Sequence, residues 1–300
     1  MNTRRPLLIV PAYNEEATIA EVIQGIRREG FDYVVVNDGS TDATLSICRE
    51  AGFNVIDLPV NLGLAGAFQT GMIYACRHGY DCAVQFDADK QHRPEYVSAL
   101  VAAVADHDIV IGSRFVERKK PRTLRMAGSR LISFAIRLTT GRTLKDPTSG
   151  MRCFNRRMME LLAYGINVGP EPDTLAYLIR SAHARVCEVQ VTVDERSAGK
   201  SYLNMKTSIA YMVRILLSVL LIQFFRKKLG AAEVRQGETG AAGESARTRR
   251  DAAGAATGAA SGASAACAPA PTPTASAPAA HAPTAWTAGA AEDLAGREAL

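Results

Sequence analysis

The chain lacks the cysteine pattern of a disulfide-bonded or zinc-thiolate protein. Its six cysteines include no C-x-x-C pair, and several lie in apolar segments typical of strands or helices. This distribution favours buried, reduced thiols in a cytosolic protein. Residues 1–6 lead directly into a strand-like run, so we expect no signal peptide.

Branched and aromatic side chains are scarce in the last part of the chain. Residues 231–300 are mostly Ala, Gly, Pro, Ser and Thr, and the single tryptophan, Trp286, lies among them. Such a segment cannot bury enough apolar area to offset the entropy lost on ordering. We therefore expect a disordered tail at 231–300 and a folded unit before it.

Charge divides at the same boundary. The tail holds five arginines against seven acidic residues, a net of −2, so the whole-chain charge of +5 leaves +7 on residues 1–230. A basic excess of this kind suits a partner rich in phosphate: a nucleotide, a lipid phosphate, an anionic membrane or a nucleic acid.

The first 115 residues alternate strand-like and helix-like patterns. Continuous apolar runs predict buried strands at 7–10, 33–36, 54–58, 82–86 and 109–112. Amphipathic patterns predict helices at 17–28, 41–51, 65–78 and 94–105. Buried strands that alternate with helices indicate an α/β fold with a mostly parallel sheet covered on both faces.

Polar clusters follow each predicted strand. They occupy residues 11–16, 37–42, 61–63, 87–91 and 112–114. Because ligands of open parallel sheets bind at the carboxyl ends of the strands, we expect these clusters to form one site.

The cluster Asp87-Ala-Asp-Lys-Gln91 is the most informative of these motifs. In an extended segment, Asp87, Asp89 and Gln91 would point the same way and could bind one hard cation. Mg²⁺ and Mn²⁺ prefer such oxygen ligands and bridge proteins to phosphates. The alternative is a solvated acidic turn, since short acidic motifs are common.

The second half of the chain is less regular. A basic loop at 114–125 precedes an apolar-periodic stretch at 126–140, a turn at 146–151 that leads into a short strand, a helical stretch at 174–181 and a strand at 186–193. The apolar segment 209–225 contains Arg214 and Gln223 and is closed by basic residues 226–228. We expect it to be an interfacial or partner-packed helix rather than a membrane span.

Taken together, these motifs resemble the inverting family 2 glycosyltransferases, most closely the polyprenyl- or dolichol-phosphate hexosyl transferases. The resemblance covers about residues 6–203 and rests on motifs at 11–16, 38–42, 61–71, 87–91, 112–114, 149–152 and 196–201. It implies a nucleotide-diphospho-sugar transferase domain, Rossmann-like and of GT-A type. The implied division is a catalytic domain at 1–203, an apolar helix at 204–230 and a tail at 231–300.

The resemblance also implies roles for individual residues. Pro11, Tyr13, Glu15 and Asp38 match the segments that bind the nucleotide, although Glu15 and Thr18 could instead cap a helix. The matching metal ligands for Mg²⁺ or Mn²⁺ are Asp87, which would also contact the nucleotide sugar, Asp89 and Gln91.

Two basic segments match phosphate-binding parts of the family. Arg196, with Lys200 and Ser201, matches a loop that closes on the diphosphate, and Arg114, Arg125 and Ser129 match the acceptor-phosphate site. Arg122 and Arg130 compete with Arg125 for that role. The simpler alternatives are a solvated basic loop at 114–125, a turn at 199–201 and an ordinary surface arginine at 196.

The implied reaction needs no strong general base. A lipid phosphate is already largely anionic at neutral pH and can attack the anomeric carbon directly, with inversion. Bound metal and Arg196 would stabilise the departing nucleoside diphosphate. None of the five histidines lies in a motif. His92 follows the metal-binding segment and could contact it, but we expect a surface role.

The resemblance implies transfer of a hexose from a nucleotide diphosphate sugar to a polyprenyl phosphate. It places the protein in the cytoplasm, peripheral to the inner face of the cell membrane, with the membrane surface or a small membrane protein as partner and no nucleic acid. The alternatives are a transferase that extends a cell-surface glycan and a catalytically silent membrane-associated scaffold. The sugar and the base stay open.

Overall fold

A computed structural model describes residues 4–121, 123–165, 169–194 and 212–222. The strands are β1 (Pro6–Ala12), β2 (Asp32–Asn37), β3 (Val55–Asp57), β4 (Cys82–Gln85), β5 (Ile109–Ser113), β6 (Arg152–Asn155) and β7 (Val186–Gln190). The helices are α1 (Ile19–Arg28), α2 (Thr44–Glu50), α3 (Gly63–Arg77), α4 (Val97–Ala103), α5 (Leu124–Thr140), α6 (Arg156–Tyr164) and α7 (Pro172–Ser181), with a 3₁₀ turn at Pro94–Tyr96. A C-terminal helix at 212–222 ends in a π-helical turn, Ser218–Ile222.

The described strands form one mostly parallel sheet in the order β3-β2-β1-β4-β6-β5-β7. Strand β6 alone runs antiparallel, between β4 and β5. The order changes direction at β1, which pairs with β2 on one side and β4 on the other. That point, at the carboxyl ends of the strands, is where open α/β sheets bind their ligands.

Two apolar cores cover the two faces of the sheet. Alternate β1 residues divide between them, with Leu7 and Ile9 in one core and Leu8 and Val10 in the other. Helices α3, α5, α6, α7 and the C-terminal helix pack on the first face, and α1, α2 and α4 on the second. Gly71 lets α3 approach the sheet, since a side chain there would collide with Ile9. This three-layer arrangement confirms the predicted fold class.

The predicted elements of the first half match the observed ones to within a few residues. Helix α6 was not predicted, and no sequence pattern indicated that β6 would be antiparallel. The described cysteines are all free thiols, and burial raises the pKa of Cys48 and Cys76 to about 11. The Cys48 and Cys76 thiols are therefore protonated and unreactive at neutral pH. Their burial agrees with the prediction of buried, reduced cysteines.

The C-terminal helix packs one side against the body of the domain. Ile215 and Val219 are buried, Val213 and Leu217 are half exposed, and Arg214 pairs with Glu171 of the α7 N-terminus at 2.8 Å. Within the described part of the chain, no helix has both the length and the apolar character to cross a membrane. The proposed boundaries at 203 and 230 and the tail at 231–300 lie outside the described residues.

Candidate active site

A cavity of about 370 Å³ opens at the carboxyl edge of the sheet. It is lined on its apolar side by Leu64, Met126, Val193 and Met212. Its polar lining includes Gln85, Asp87, Gln91, His92, Arg114, Ser129, Thr148 and Arg152. The structure therefore brings the predicted metal-binding residues Asp87 and Gln91 together with two predicted acceptor residues, Arg114 and Ser129.

The segment that follows β4 is a turn and not an extended strand. Strand β4 ends at Gln85, Lys90 has a φ of 64°, and Asp89 Oδ1 accepts a hydrogen bond from the Gln91 amide at 3.1 Å. The prediction that strand alternation aligns Asp87, Asp89 and Gln91 is therefore wrong. Both carboxylates are partly buried, so the turn is not a freely solvated one either.

Asp87 stays ionised despite its surroundings. Burial opposes its charge, but hydrogen bonds from His92 and Gln85 and the nearby charge of Arg152 hold its pKa below the ordinary value. His92 Nε2 lies 3.0 Å from Asp87 Oδ2, and Gln85 Nε2 lies 3.4 Å from Oδ1. An ionised carboxylate at this edge provides a hard oxygen ligand.

His92 is buried and part of the site, so the prediction of a surface role is wrong. Its ring packs edge-on against Phe86 with centroids 5.7 Å apart. Gly150 makes this arrangement possible, because a Cβ at that position would collide with Asp87 and lie 3.0 Å from His92 Nε2.

Arg152 is a site residue to which the sequence reasoning gave no role. Its guanidinium is buried and donates to the carbonyl oxygens of Pro147 at 2.7 Å and Pro170 at 2.8 Å. The antiparallel β6 places it opposite Gln85 and Ile111, at the carboxyl ends of β4 and β5. Arg152 belongs to the 149–152 motif, but only the strand pairing shows that it lines the cavity.

Arg114 lines the cavity, and its guanidinium already forms an ion pair with a carboxylate. Its Nε and Nη2 atoms donate to Asp146 Oδ2 at 2.7 Å and Oδ1 at 2.9 Å, and Asp146 is completely buried. A bidentate pair of this kind fixes the guanidinium in one orientation. Arg114 therefore belongs to the site, with part of its phosphate-binding capacity already used.

Hydroxyl groups connect Ser129 to this ion pair. Ser129 Oγ lies 3.4 Å from Thr148 Oγ1, which donates to Asp146 Oδ1 at 3.2 Å. Lys120, which the motif analysis missed, donates to Ser129 Oγ at 2.9 Å. Burial lowers the pKa of Lys120. Among the described side chains, Lys120 is thus a cation in direct contact with Ser129.

Of the competing arginines, Arg130 lies within the described residues. Arg130 donates to the carbonyl oxygens of Lys120 and Pro121, which ties the basic loop to α5. Arg122 and the side chain of Arg125 lie outside the described residues. The acceptor role of Arg125 stays a prediction.

The predicted nucleotide-binding residues lie at the carboxyl ends of β1 and β2 and are not among the described residues that line the cavity. Glu15 Oε2 accepts from Thr18 Oγ1 at 3.0 Å, while Thr18, at the N-cap of α1, makes no side-chain capping bond. Asp38 is buried, and its Oδ1 accepts from the Leu62 amide at 2.7 Å. Pro11, within β1, and Tyr13, just after it, are partly exposed. The nucleotide role of these four residues stays a prediction.

The second predicted phosphate-binding loop cannot be placed. Arg196, Lys200 and Ser201 all lie outside the described residues, so their closure on a diphosphate remains a prediction.

The donor set at the cavity fits a hard divalent cation. Asp87 and Gln91 line the cavity and offer a carboxylate and an amide oxygen, the ligands that Mg²⁺ and Mn²⁺ prefer. Asp89 lies between them in the chain but is not among the lining residues, so its role as a metal ligand stays a prediction. Within the described ranges, no cluster of three or more His, Cys, Asp or Glu side chains could hold a metal ion. A cation here would therefore take part of its coordination from a ligand's phosphates or from water, as Mg²⁺ usually does.

A mostly parallel α/β sheet with acidic and basic side chains gathered at its carboxyl edge is typical of enzymes that bind their ligands at the strand ends. The model of the family Glycosyl transferase family 2 matches residues 7–162. The chain belongs to this family and is a glycosyltransferase, as the motifs indicated.

Named relatives extend the match beyond the family model. Polyprenol monophosphomannose synthase of Mycolicibacterium smegmatis is 31% identical over 222 residues, which cover 67% of this chain and 82% of that protein. Uncharacterized protein MJ1222 of Methanocaldococcus jannaschii is 34% identical over 161 residues, 52% of this chain and 66% of the relative. The chain thus spans just under two thirds of the length of this second relative.

A solved structure supports the fold. Glucosyl-3-phosphoglycerate synthase from Mycobacterium tuberculosis, in complex with Mn²⁺, UDP-glucose and phosphoglyceric acid, superimposes with a TM-score of 0.56 at 21% identity. The match covers 76% of this chain and 82% of that one. At this identity the similarity establishes a shared fold and no more.

Proposed function

We propose that the protein transfers a hexose from a nucleotide diphosphate sugar to a polyprenyl phosphate, with inversion and with a divalent cation. One observation carries the proposal: Asp87 and Gln91, predicted to bind metal, share a cavity with Arg114 and Ser129, predicted to bind the acceptor phosphate. Donor and acceptor phosphates can then meet in one enclosed space, which favours a direct transfer.

The relatives support the chemistry of both substrates. The name of the M. smegmatis relative specifies a polyprenol monophosphomannose product, and the M. tuberculosis structure contains Mn²⁺ with UDP-glucose. Mannose in one name and glucose in the other leave the sugar open, as does the sequence.

Different residues would bind the cation and the acceptor phosphate. Asp87, Asp89 and Gln91 would hold Mg²⁺ or Mn²⁺, which supplies charge stabilisation for the departing diphosphate when bound. Ser129, Lys120 and Arg114 would position the acceptor phosphate, whose oxygen attacks the anomeric carbon from the opposite side of the sugar. Since that phosphate is anionic at neutral pH, no residue need remove a proton.

An exposed apolar surface supports attachment to a membrane. On α5, Leu131, Phe134 and Leu138 are 49%, 62% and 68% exposed and lie on one side of the helix; we name them the α5 stripe. Exposed Arg130 and Arg137 flank it. A helix with an apolar face and basic flanks suits an anionic lipid surface. We infer peripheral binding at the cytoplasmic face, directly or through a small membrane protein.

A transfer assay tests the proposal. We expect incubation with labelled sugar nucleotide, Mg²⁺ or Mn²⁺ and a short polyprenyl phosphate to give an organic-extractable, acid-labile product. A panel of GDP-mannose, UDP-glucose and UDP-linked amino sugars would identify the donor. Product found only on a glycan acceptor would favour the polysaccharide-extending alternative. No transfer with any donor would favour the silent scaffold.

A further inference from the structure

His92 is a buried histidine in the wall of the active-site cavity. The His92 side chain is 5% exposed, while the carboxyl group of its partner Asp87 is 33% exposed and lines the cavity. Both side chains line the cavity, and His92 is the more buried of the two. Its Nε2 atom is used by the contact with Asp87.

The hydrogen bond between the two side chains has a defined direction. His92 Nε2 lies 3.0 Å from Asp87 Oδ2, and since a carboxylate oxygen is an acceptor, His92 donates through Nε2. His92 Nδ1 is buried and has no partner within the described part of the chain. The Nε2–H tautomer leaves only a lone pair unpaired there, whereas a proton at Nδ1 would create a buried unpaired donor.

This bond distinguishes the two oxygens of Asp87. Oδ2 is occupied by His92, while Oδ1 receives only the longer contact of 3.4 Å from Gln85. The backbone of Gly150 lies directly against Oδ2, since a Cβ at that position would collide with this oxygen. Oδ1 is thus the oxygen that remains available to a cation.

We propose that His92 is the positioning residue for Asp87, which it fixes so that Asp87 binds the divalent cation through Oδ1 alone. This inference rests on the proposed metal-dependent transfer. Partners that hydrogen-bond a metal-binding carboxylate orient it, and their loss commonly lowers metal affinity about 10–100-fold.

Mn²⁺ titration of the full-length protein tests this role directly. Free Mn²⁺ is followed by electron paramagnetic resonance, first with the metal alone and then with UDP or GDP. We expect His92→Phe, which keeps a ring against Phe86 but cannot donate, to weaken Mn²⁺ binding by about 10–100-fold. His92→Gln can place an amide donor near the position of Nε2 and should restore most of the affinity.

Two control variants make the result specific. His107→Phe makes the same change at the opposite edge of the sheet, where His107 Nδ1 contacts only the Ala103 carbonyl, and should leave Mn²⁺ affinity unchanged. Asp89→Asn should abolish Mn²⁺ binding. If Asp89→Asn loses Mn²⁺ while His92→Phe binds normally, the role of His92 is overturned and the metal site stands. If neither variant loses Mn²⁺, the metal assignment fails and the role of His92 fails with it.

A second measurement serves if His92→Phe does not fold. The ¹⁵N spectrum of the wild-type histidines reports the tautomer of each ring, and His92 is assigned by its absence in His92→Gln. We expect an Nε2–H tautomer for His92. An Nδ1–H tautomer would mean that His92 does not donate to Asp87, and would overturn the inference.

Discussion

Charged groups around the cavity are held in place by identifiable partners, and Arg114 with Asp146 is the strongest case. Asp146 accepts from the Arg114 guanidinium and amide and from Thr148, and its own amide donates to Glu188 at 2.7 Å. Asp146 thus connects the end of β5, Thr148 and β7 on the acceptor side. These bonds fix the Arg114 guanidinium at the cavity, where Asp146 balances its charge.

We expect Asp146→Ala to be strongly destabilising, because it leaves the Arg114 guanidinium partly buried without its counter-charge. Breaking a buried pair of this kind costs about 3–5 kcal/mol. Urea unfolding measures the loss. Asp106→Ala, at an exposed surface position, is the matched control and should change stability by no more than about 0.5 kcal/mol. Equal stability of both variants would show that the pair contributes little.

Asp89 combines a local structural bond with a proposed metal bond, and two substitutions separate them. Asp89→Asn keeps an oxygen that can accept from the Gln91 amide but removes the charge. We expect both Asp89→Asn and Asp89→Ala to lower kcat by orders of magnitude, since a lost charged metal contact is worth several kcal/mol. Near wild-type turnover in Asp89→Asn, or full activity in EDTA, would contradict the metal assignment.

Arg196 remains a prediction from the motif at 196–201. A guanidinium can hold two phosphate oxygens at once, which an ammonium cannot do. If it stabilises the leaving diphosphate, Arg196→Lys should depress kcat strongly while sugar-nucleotide affinity changes much less. Steady-state kinetics with separate nucleotide-binding measurements test this. Unchanged turnover would assign Arg196 to the surface and direct attention to Arg114 and Arg152.

At the scale of elements, α5 has two faces with different roles. Ile132, Ala135 and Ile136 are buried against the sheet side of the domain, and Met126 and Ser129 line the cavity. The α5 stripe occupies the remaining apolar positions and faces outward. One helix therefore connects the acceptor end of the cavity with the surface proposed to meet the lipid.

We expect the double substitution Phe134→Glu and Leu138→Glu to weaken binding to anionic lipid vesicles at least tenfold. Burial of each such side chain contributes about 1.5–3 kcal/mol, and the folded core does not depend on these positions. Sedimentation with vesicles measures the change. The control variant carries Ala102→Glu in α4 and Ala105→Glu just after it, which adds the same charge at exposed positions on the other face of the sheet. We expect this control to bind vesicles more tightly than the stripe variant.

Activity assays complete this test. The stripe variant should lose transfer to vesicle-embedded polyprenyl phosphate but keep transfer to a short, water-soluble acceptor. Equal vesicle binding by the stripe variant and the α4 control would exclude the α5 stripe as the lipid-contacting surface.

At the scale of the whole molecule, we expect truncation after Gly230 to leave folding and catalysis intact. Residues 231–300 lack the branched apolar side chains that a core requires. Thermal unfolding and transfer assays of the truncated and full-length chains measure the effect. Limited proteolysis should remove the tail first. A fall of several degrees in Tm would place the domain boundary elsewhere.

Sequence patterns alone determined the fold class and most of the element positions. Buried parallel strands such as β1 and β2 are apolar along their length, and the helices between them show an amphipathic period, so both are visible locally. The polar clusters after these strands also predicted where the site forms, because carboxyl ends of parallel strands meet at one edge.

Only the tertiary structure decided how the site is built. The antiparallel β6 brings Arg152 to the cavity, Asp146 neutralises Arg114, and Lys120 reaches Ser129. The turn after β4 buries His92 against Asp87, where the sequence pattern predicted an extended segment and a surface histidine. These features depend on contacts between residues distant in sequence or on a local positive φ, and neither leaves a periodic signal in the chain.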